Sequence, residues 1–369
     1  MARKKTKTKK KKTRTTGRKV SRSPGRGGIR RRGFAWESHK DEELLDLRLC
    51  DLKVKLEGSW LEKCVHRLHD ELDQKGIRCR PHVWLSDDWF SPVGVTGFAI
   101  PFYLTHPRLM RLEKKQILEI EGGTRDECMK IMRHEAGHVI QDAFRINRRR
   151  RFQELFGRST TPYPDSYRPN PSSKRYVYHL DAWYAQSHPD EDFAETFAVW
   201  LRPRSGWRKR YRHWRALEKL AWVDEVMKEI AGTRPKLLRR DTSRPLSRLR
   251  VSLRKYYEKK KERFEVAQIS EYDGDLLRLF GDPSKKGRSR GETAKSFVRS
   301  HREEIRELVS RWTGEAQFTL DQVLKDMIKR CQKLGLRASG PESRLKLDLA
   351  ILVTMHTMRC HRARHWRAV

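Results

Sequence analysis

His134-Glu135-Ala136-Gly137-His138 sets two imidazoles four residues apart with a carboxylate beside the first. Four residues of helix turn through about 400°, so both rings leave one face a single turn apart and can share one ion. Neutral imidazoles suit zinc, and a zinc ion that does chemistry needs one further protein ligand and an open position for water. Glu135 is then placed to act as general base on that water. The longer form of this motif, with a Gly three and a His six residues after the second His, is excluded because Gln141 and Phe144 stand there. Glu191 and Glu195, again four apart, offer the third ligand. The natural assignment makes Glu191 the ligand, while Glu195 accepts a hydrogen bond from the far nitrogen of His134 and fixes its tautomer. Glu195 is the rival for the ligand position, and an acidic stripe exposed at a helix start is the reading without chemistry.

These residues need two helices. Thr124-Arg125-Asp126-Glu127 is a capping box, predicting a helix from there to about Arg145. Ser187-His188-Pro189 followed by Asp190, Glu191 and Asp192 predicts a second, with Pro in its first turn and acids at the positive end of its dipole. Gly137 would let another backbone come close to the first helix. Asp142 reads as a helix-surface charge in preference to an acceptor behind the histidines, and His188 as a solvent-facing residue at the helix entry, with Asp181 a weaker neighbour. Upstream, the apolar spacing of 41–72 predicts one or two helices. Short β-branched and aromatic runs at 78–84, 93–104 and 116–121 predict strands of a small twisted sheet. The Pro-rich, Arg-rich stretch 147–173 reads as loop. Beyond Arg202 the chain reads as helical and basic, over 216–231, 246–267, 292–311, 320–334 and 343–363.

The chain has 369 residues, 84 Lys and Arg against 48 Asp and Glu, and a formal charge of +36. Its length suggests about two domains. Residues 1–33 carry 16 Lys and Arg and no acid, a composition that cannot bury enough apolar area to order itself. A disordered basic arm is expected, with contact to nucleic acid or another polyanion as its functional reading. The segment Arg202 to Lys219 mixes basic residues with Trp207, Tyr211 and Trp214. Aromatics packed beneath a solvated basic face are the favoured account there, ahead of a nucleic-acid surface. Six scattered cysteines form no C-x-x-C pair, and apolar runs such as 349–353 fall far short of the roughly 20 residues of a membrane helix. The start of the chain has no apolar signal segment, so a cytoplasmic protein without membrane contact is expected.

The run from Tyr184 to Ala198, taken with the His134–His138 helix, resembles the bacterial zinc-binding metallopeptidases of the gluzincin type. More distantly it is similar to the protease domain of anthrax lethal factor, with a Tyr seven residues before the ligand Glu and a second Glu four after it. The resemblance covers roughly residues 36–236, including Trp222 to Met227, and leaves the basic arm and the last 130 or so residues unexplained. It implies an α+β, zincin-like domain over 34–240 with a small twisted sheet and an active-site helix, while composition and apolar spacing place a basic arm over 1–33 before it and a basic helical extension over 241–369 after it. It further implies zinc (Zn2+) on His134, His138 and Glu191, Glu195 behind His134, hydrolysis of peptide bonds with Glu135 as base, and Tyr184 donating to the oxyanion. An edge strand within 93–104 that pairs with an extended peptide or protein substrate follows from the same resemblance. The alternative expectation is a polyanion-binding protein whose zincin-like domain is catalytically silent.

Overall fold

A computed structural model of the protein describes residues 33–264, 272–281 and 292–363, with side chains to Met358. The basic arm thus lies outside the described residues, Gly33 apart. The architecture is α+β and mostly helical, with one two-stranded parallel sheet.

The 41–72 region divides into the short helix α1 (Asp41–Leu45) and the longer α2 (Trp60–Gln74). Leu61, Cys64, Val65, Leu68 and Leu72 recur at helical period on α2 and are all buried. Strands β1 (His82–Ser86) and β2 (Gly97–Pro101) pair in parallel, with His82 opposite Gly97. Every residue of β2 is buried, which explains its continuous apolar run. The sequence expectation of a strand over 116–121 is overturned. Helix α3 (Pro107–Ile117), opened by Pro107 and a His106 ring nitrogen that accepts from the Arg108 amide, occupies the first part of it. Leu109, Leu112 and Ile117 keep a helical period and bury that face, and the chain leaves the helix at Leu118 in the left-handed region, φ 69°.

Helix α4 (Arg125–Ala143) starts where its capping box places it. The Thr124 hydroxyl accepts from the Glu127 amide at 3.3 Å and the Glu127 carboxylate from the Thr124 amide at 3.2 Å. Most of its length is buried, so it is a central helix and not a surface one. Inside the stretch expected as loop lies α5 (Arg150–Leu155), whose Phe152 ring meets Phe156, Phe193 and Trp222. Helix α6 (Pro189–Leu201) crosses α4, and α7 (Trp207–Arg210) and α8 (Ala216–Ile230) follow.

The expected boundary lies at 240. Residues beyond it run beside the sheet, where Trp84 and Ser86 donate to the Ser243 and Arg244 carbonyls at 2.8 and 2.7 Å. Helix α9 (Leu253–Glu262) then buries Leu253, Tyr256 and Tyr257 in the same core as α4. A second core gathers α10 (Asp273–Phe280), α11 (Ala294–Thr313), α12 (Gln317–Lys333) and α13 (Glu342–Ala363) around Leu276, Val298, Leu324, Met327, Leu349 and Val353. The change of core therefore falls between Phe264 and Tyr272. Phe264 sits at the join, its ring 6.2 Å from that of Phe318 and its carbonyl accepting from Thr319. Among the described residues no helix is long and apolar enough to cross a membrane, and the described cysteines are unbridged.

Candidate metal centre

Helix α4 delivers His134 and His138 on one face, ring centroids 4.9 Å apart and Nε2 atoms 3.1 Å apart. Helix α6 brings the carboxylates. Its start is set by His188, whose Nδ1 accepts from the Asp190 amide at 3.1 Å, by Pro189, and by three acids in the first turn. His188 does not face solvent as expected. It is buried, its Nε2 donates to the Thr161 carbonyl at 2.8 Å, and its ring stacks on Tyr163 at 3.7 Å.

The two glutamates take opposite sides of His134. Glu191 Oε2 lies 3.0 Å from His134 Nε2 and 3.2 Å from His138 Nε2. Glu195 Oε1 lies 2.9 Å from His134 Nδ1, while its other oxygen accepts from the Leu180 amide at 2.8 Å. Nδ1–H donated to Glu195 leaves the Nε2 lone pair of His134 facing Glu191. His134, His138 and Glu191 each present one donor atom to a common point. A tetrahedral ion with bonds of about 2.0 Å spaces its ligand atoms about 3.3 Å apart, so the observed 3.0–3.2 Å triangle fits zinc.

Burial by itself would raise the Glu191 carboxyl, yet the neighbouring imidazoles outweigh it and hold the group well below the usual carboxylate range. Burial likewise pulls His134 down, and its bonds to Glu191 and Glu195 overcome that and raise it. The side chains of His134 and Glu191 are 4% and 6% exposed and that of His138 is 17% exposed, so solvent reaches the cluster beside His138.

Sequence reasoning missed two hydroxyls here. Tyr163 donates to Glu191 Oε1 at 2.9 Å, so both oxygens of that carboxylate are engaged. Ser91 donates to Glu135 Oε2 at 2.7 Å. Both residues sit in irregular segments, where no periodicity marks them. The Tyr184 ring lies 5.7 Å from that of His134, and burial raises its phenol above the ordinary value. Ala182 and Trp183, just before it, hold φ of 63° and 59°, a tight left-handed turn unusual for residues with side chains.

Asp142 is more than a surface charge. Its carboxylate accepts from the Gly94 amide at 2.6 Å, tying α4 to the loop that follows Ser91. Burial raises its carboxyl. Asp181 is exposed and meets Tyr178 instead of the cluster. Strand β2 is the strand within 93–104, but its Ala99 amide donates to the Phe90 carbonyl at 2.9 Å, so the chain itself occupies that position of the expected peptide-pairing edge. In the basic segment, Trp207 and Tyr211 are buried and Trp214 is partly so, as packing beneath a basic face requires.

Gly137 is where α4 and α6 touch. A Cβ there would stand 2.8 Å from Ala194 Cα and 3.1 Å from Ala194 O, against backbone that cannot rotate away. Gly137→Ala should therefore destabilise the fold by about 1–3 kcal/mol, the usual cost of overpacking, and weaken zinc binding by moving Glu191 from the histidines. Urea denaturation and a zinc titration check this; an unchanged midpoint would mean that the crossing opens freely.

Residues 128–207 match the model of a family described as "putative zinc-binding metallo-peptidase". The matched segment contains both histidines, Glu135, Tyr163, Tyr184, Glu191 and Glu195, and leaves out Ser91 and everything beyond Trp207. Searches of curated proteins and of solved structures found no match to the chain.

Proposed function

From the premise that residues 128–207 carry the segment of a zinc-binding metallopeptidase family, we propose that this chain is a zinc-dependent peptidase of zincin-like type. The observation that carries the reading is the triangle of His134 Nε2, His138 Nε2 and Glu191 Oε2, at the spacing of a tetrahedral ion, with Glu135 next in the chain to the first ligand.

Zinc held there would supply Lewis acidity, lowering the pKa of a water toward about 7 and polarising a peptide carbonyl. The protein's own groups do the rest. Glu195 holds His134 in the tautomer that presents Nε2, and Tyr163 and the imidazoles keep Glu191 ionised and oriented. Glu135 takes a proton from the attacking water and returns it to the leaving amine, with Ser91 fixing the carboxylate rotamer. Tyr184 donates to the oxygen on which negative charge develops.

The formal charge of +36 favours a second reading, a polyanion-binding protein with a silent metal domain, the peptidase being tethered by its basic arm if both hold. Metal content separates them first. One zinc per purified chain is expected, lost in His138→Ala, with cleavage of a peptide library by the parent alone. Parent protein that binds no zinc would end the peptidase reading.

A further inference from the structure

Beside the C-terminal end of α6, two cavities of about 340 Å³ each adjoin and share Arg202, Pro203 and Arg204 as a common wall. One has His179 and Arg210 on its other side, and the second has Lys130, Arg133 and Arg67. His179 and Arg133 are buried and form the floors, while Arg202, Arg204 and Arg210 are exposed on the rim. Each cavity has room for roughly ten water volumes, enough for a tetrahedral oxyanion.

The charge of this basin is only partly compensated. Glu71 takes up Arg133 and touches Arg67. Asp126, in the first turn of α4, is the acid that lines the second cavity. Among the described residues, Lys130, Arg202 and Arg204 have no acidic partner within 4 Å, and Arg210 is used in a long 3.4 Å bond to the Tyr178 carbonyl and against the Tyr211 ring. A cation just past a helix C-terminus is ordinary, and it accounts for Arg202. It does not account for Arg204, which is held in the left-handed region at φ 54°, nor for Lys130 from another helix facing the same space.

We propose that these joined cavities form a binding site for a phosphoryl anion, either free phosphate or the phosphodiester of a nucleic acid. Guanidinium groups supplied by one turn can meet the oxygens of such an anion in forked hydrogen bonds, and the surplus of cations suits its extra negative charge better than a single carboxylate. No Trp, Tyr or Phe lines either cavity, so the site grips backbone phosphate and reads no base. His134, His138 and Glu191 do not line either cavity, and the test does not depend on hydrolysis.

Calorimetric titration of the full chain with inorganic phosphate should show saturable binding. Arg202→Gln with Arg204→Gln should weaken it at least about tenfold, because each removes a charge-assisted contact. Arg111→Gln with Lys114→Gln, which removes two charges from the exposed face of α3, should change it less than about twofold if the effect is local and not bulk charge. Circular dichroism confirms that both variants are folded. Absence of saturable binding in the parent, or equal weakening in the two variants, overturns the proposal. Phosphate binding abolished by prior saturation with a single-stranded oligonucleotide identifies the phosphodiester as the ligand, and binding left intact identifies free phosphate.

Discussion

Glu135→Gln should keep one zinc per chain and lose peptide hydrolysis by roughly two to four orders of magnitude, the range over which a positioned general base acts. On the proposed mechanism the substitution removes the proton acceptor and little else. The three donors of the triangle are His134, His138 and Glu191, so metal content should not move. Ser91 now donates to a carboxylate oxygen, and the amide oxygen of Gln can take the same bond, so the thermal midpoint should stay close to that of the parent. Turnover of the best library peptide, read with zinc content on the same samples, is the measurement. Turnover near the parental rate with zinc still bound would assign the base to another group, and loss of zinc would mean that Glu135 helps to build the centre.

A larger effect on stability is expected from Glu71→Ala. Arg133, immediately before His134, sends Nε and Nη2 to the two oxygens of Glu71 at 2.7 and 2.8 Å, and both side chains are 4% exposed. Removing the carboxylate leaves a guanidinium buried without its counter-charge, which costs about 3–5 kcal/mol. Replacing both partners, Glu71→Leu with Arg133→Met, should cost much less, because the pair's mutual attraction is largely spent on its desolvation. Denaturation of the two variants decides between these cases. A loss below about 1 kcal/mol in Glu71→Ala would mean that water reaches Arg133 through the neighbouring basin.

How far the chain could be read in advance depended on whether a feature was local. The capping box at Thr124, the pair of helices and the His134–His138 face follow from contacts three or four residues apart, and these sit where the sequence places them. Gly137 was legible for the same reason, although the partner, Ala194, was not. Ser91 and Tyr163 were invisible because nothing in an irregular segment says which hydroxyl will meet a carboxylate 44 or 28 residues away. The strand expected over 116–121 failed because three apolar residues, Ile117, Leu118 and Ile120, do not distinguish a strand from the end of a buried helix and the turn after it. The run of residues 239–244 beside the sheet was not legible, since they meet it mainly through carbonyl groups, which carry no side-chain signature.

The bare backbone contact at Gly137 also bears on how an ion is received. Donors on separate helices usually have to be gathered by the ion itself, and the ordering subtracts from its affinity. Here the main chains of α4 and α6 abut, so the separation of the imidazoles from Glu191 is settled when the core condenses. The receptacle is preorganised, and the entropy of assembling it belongs to folding and not to capture of the ion.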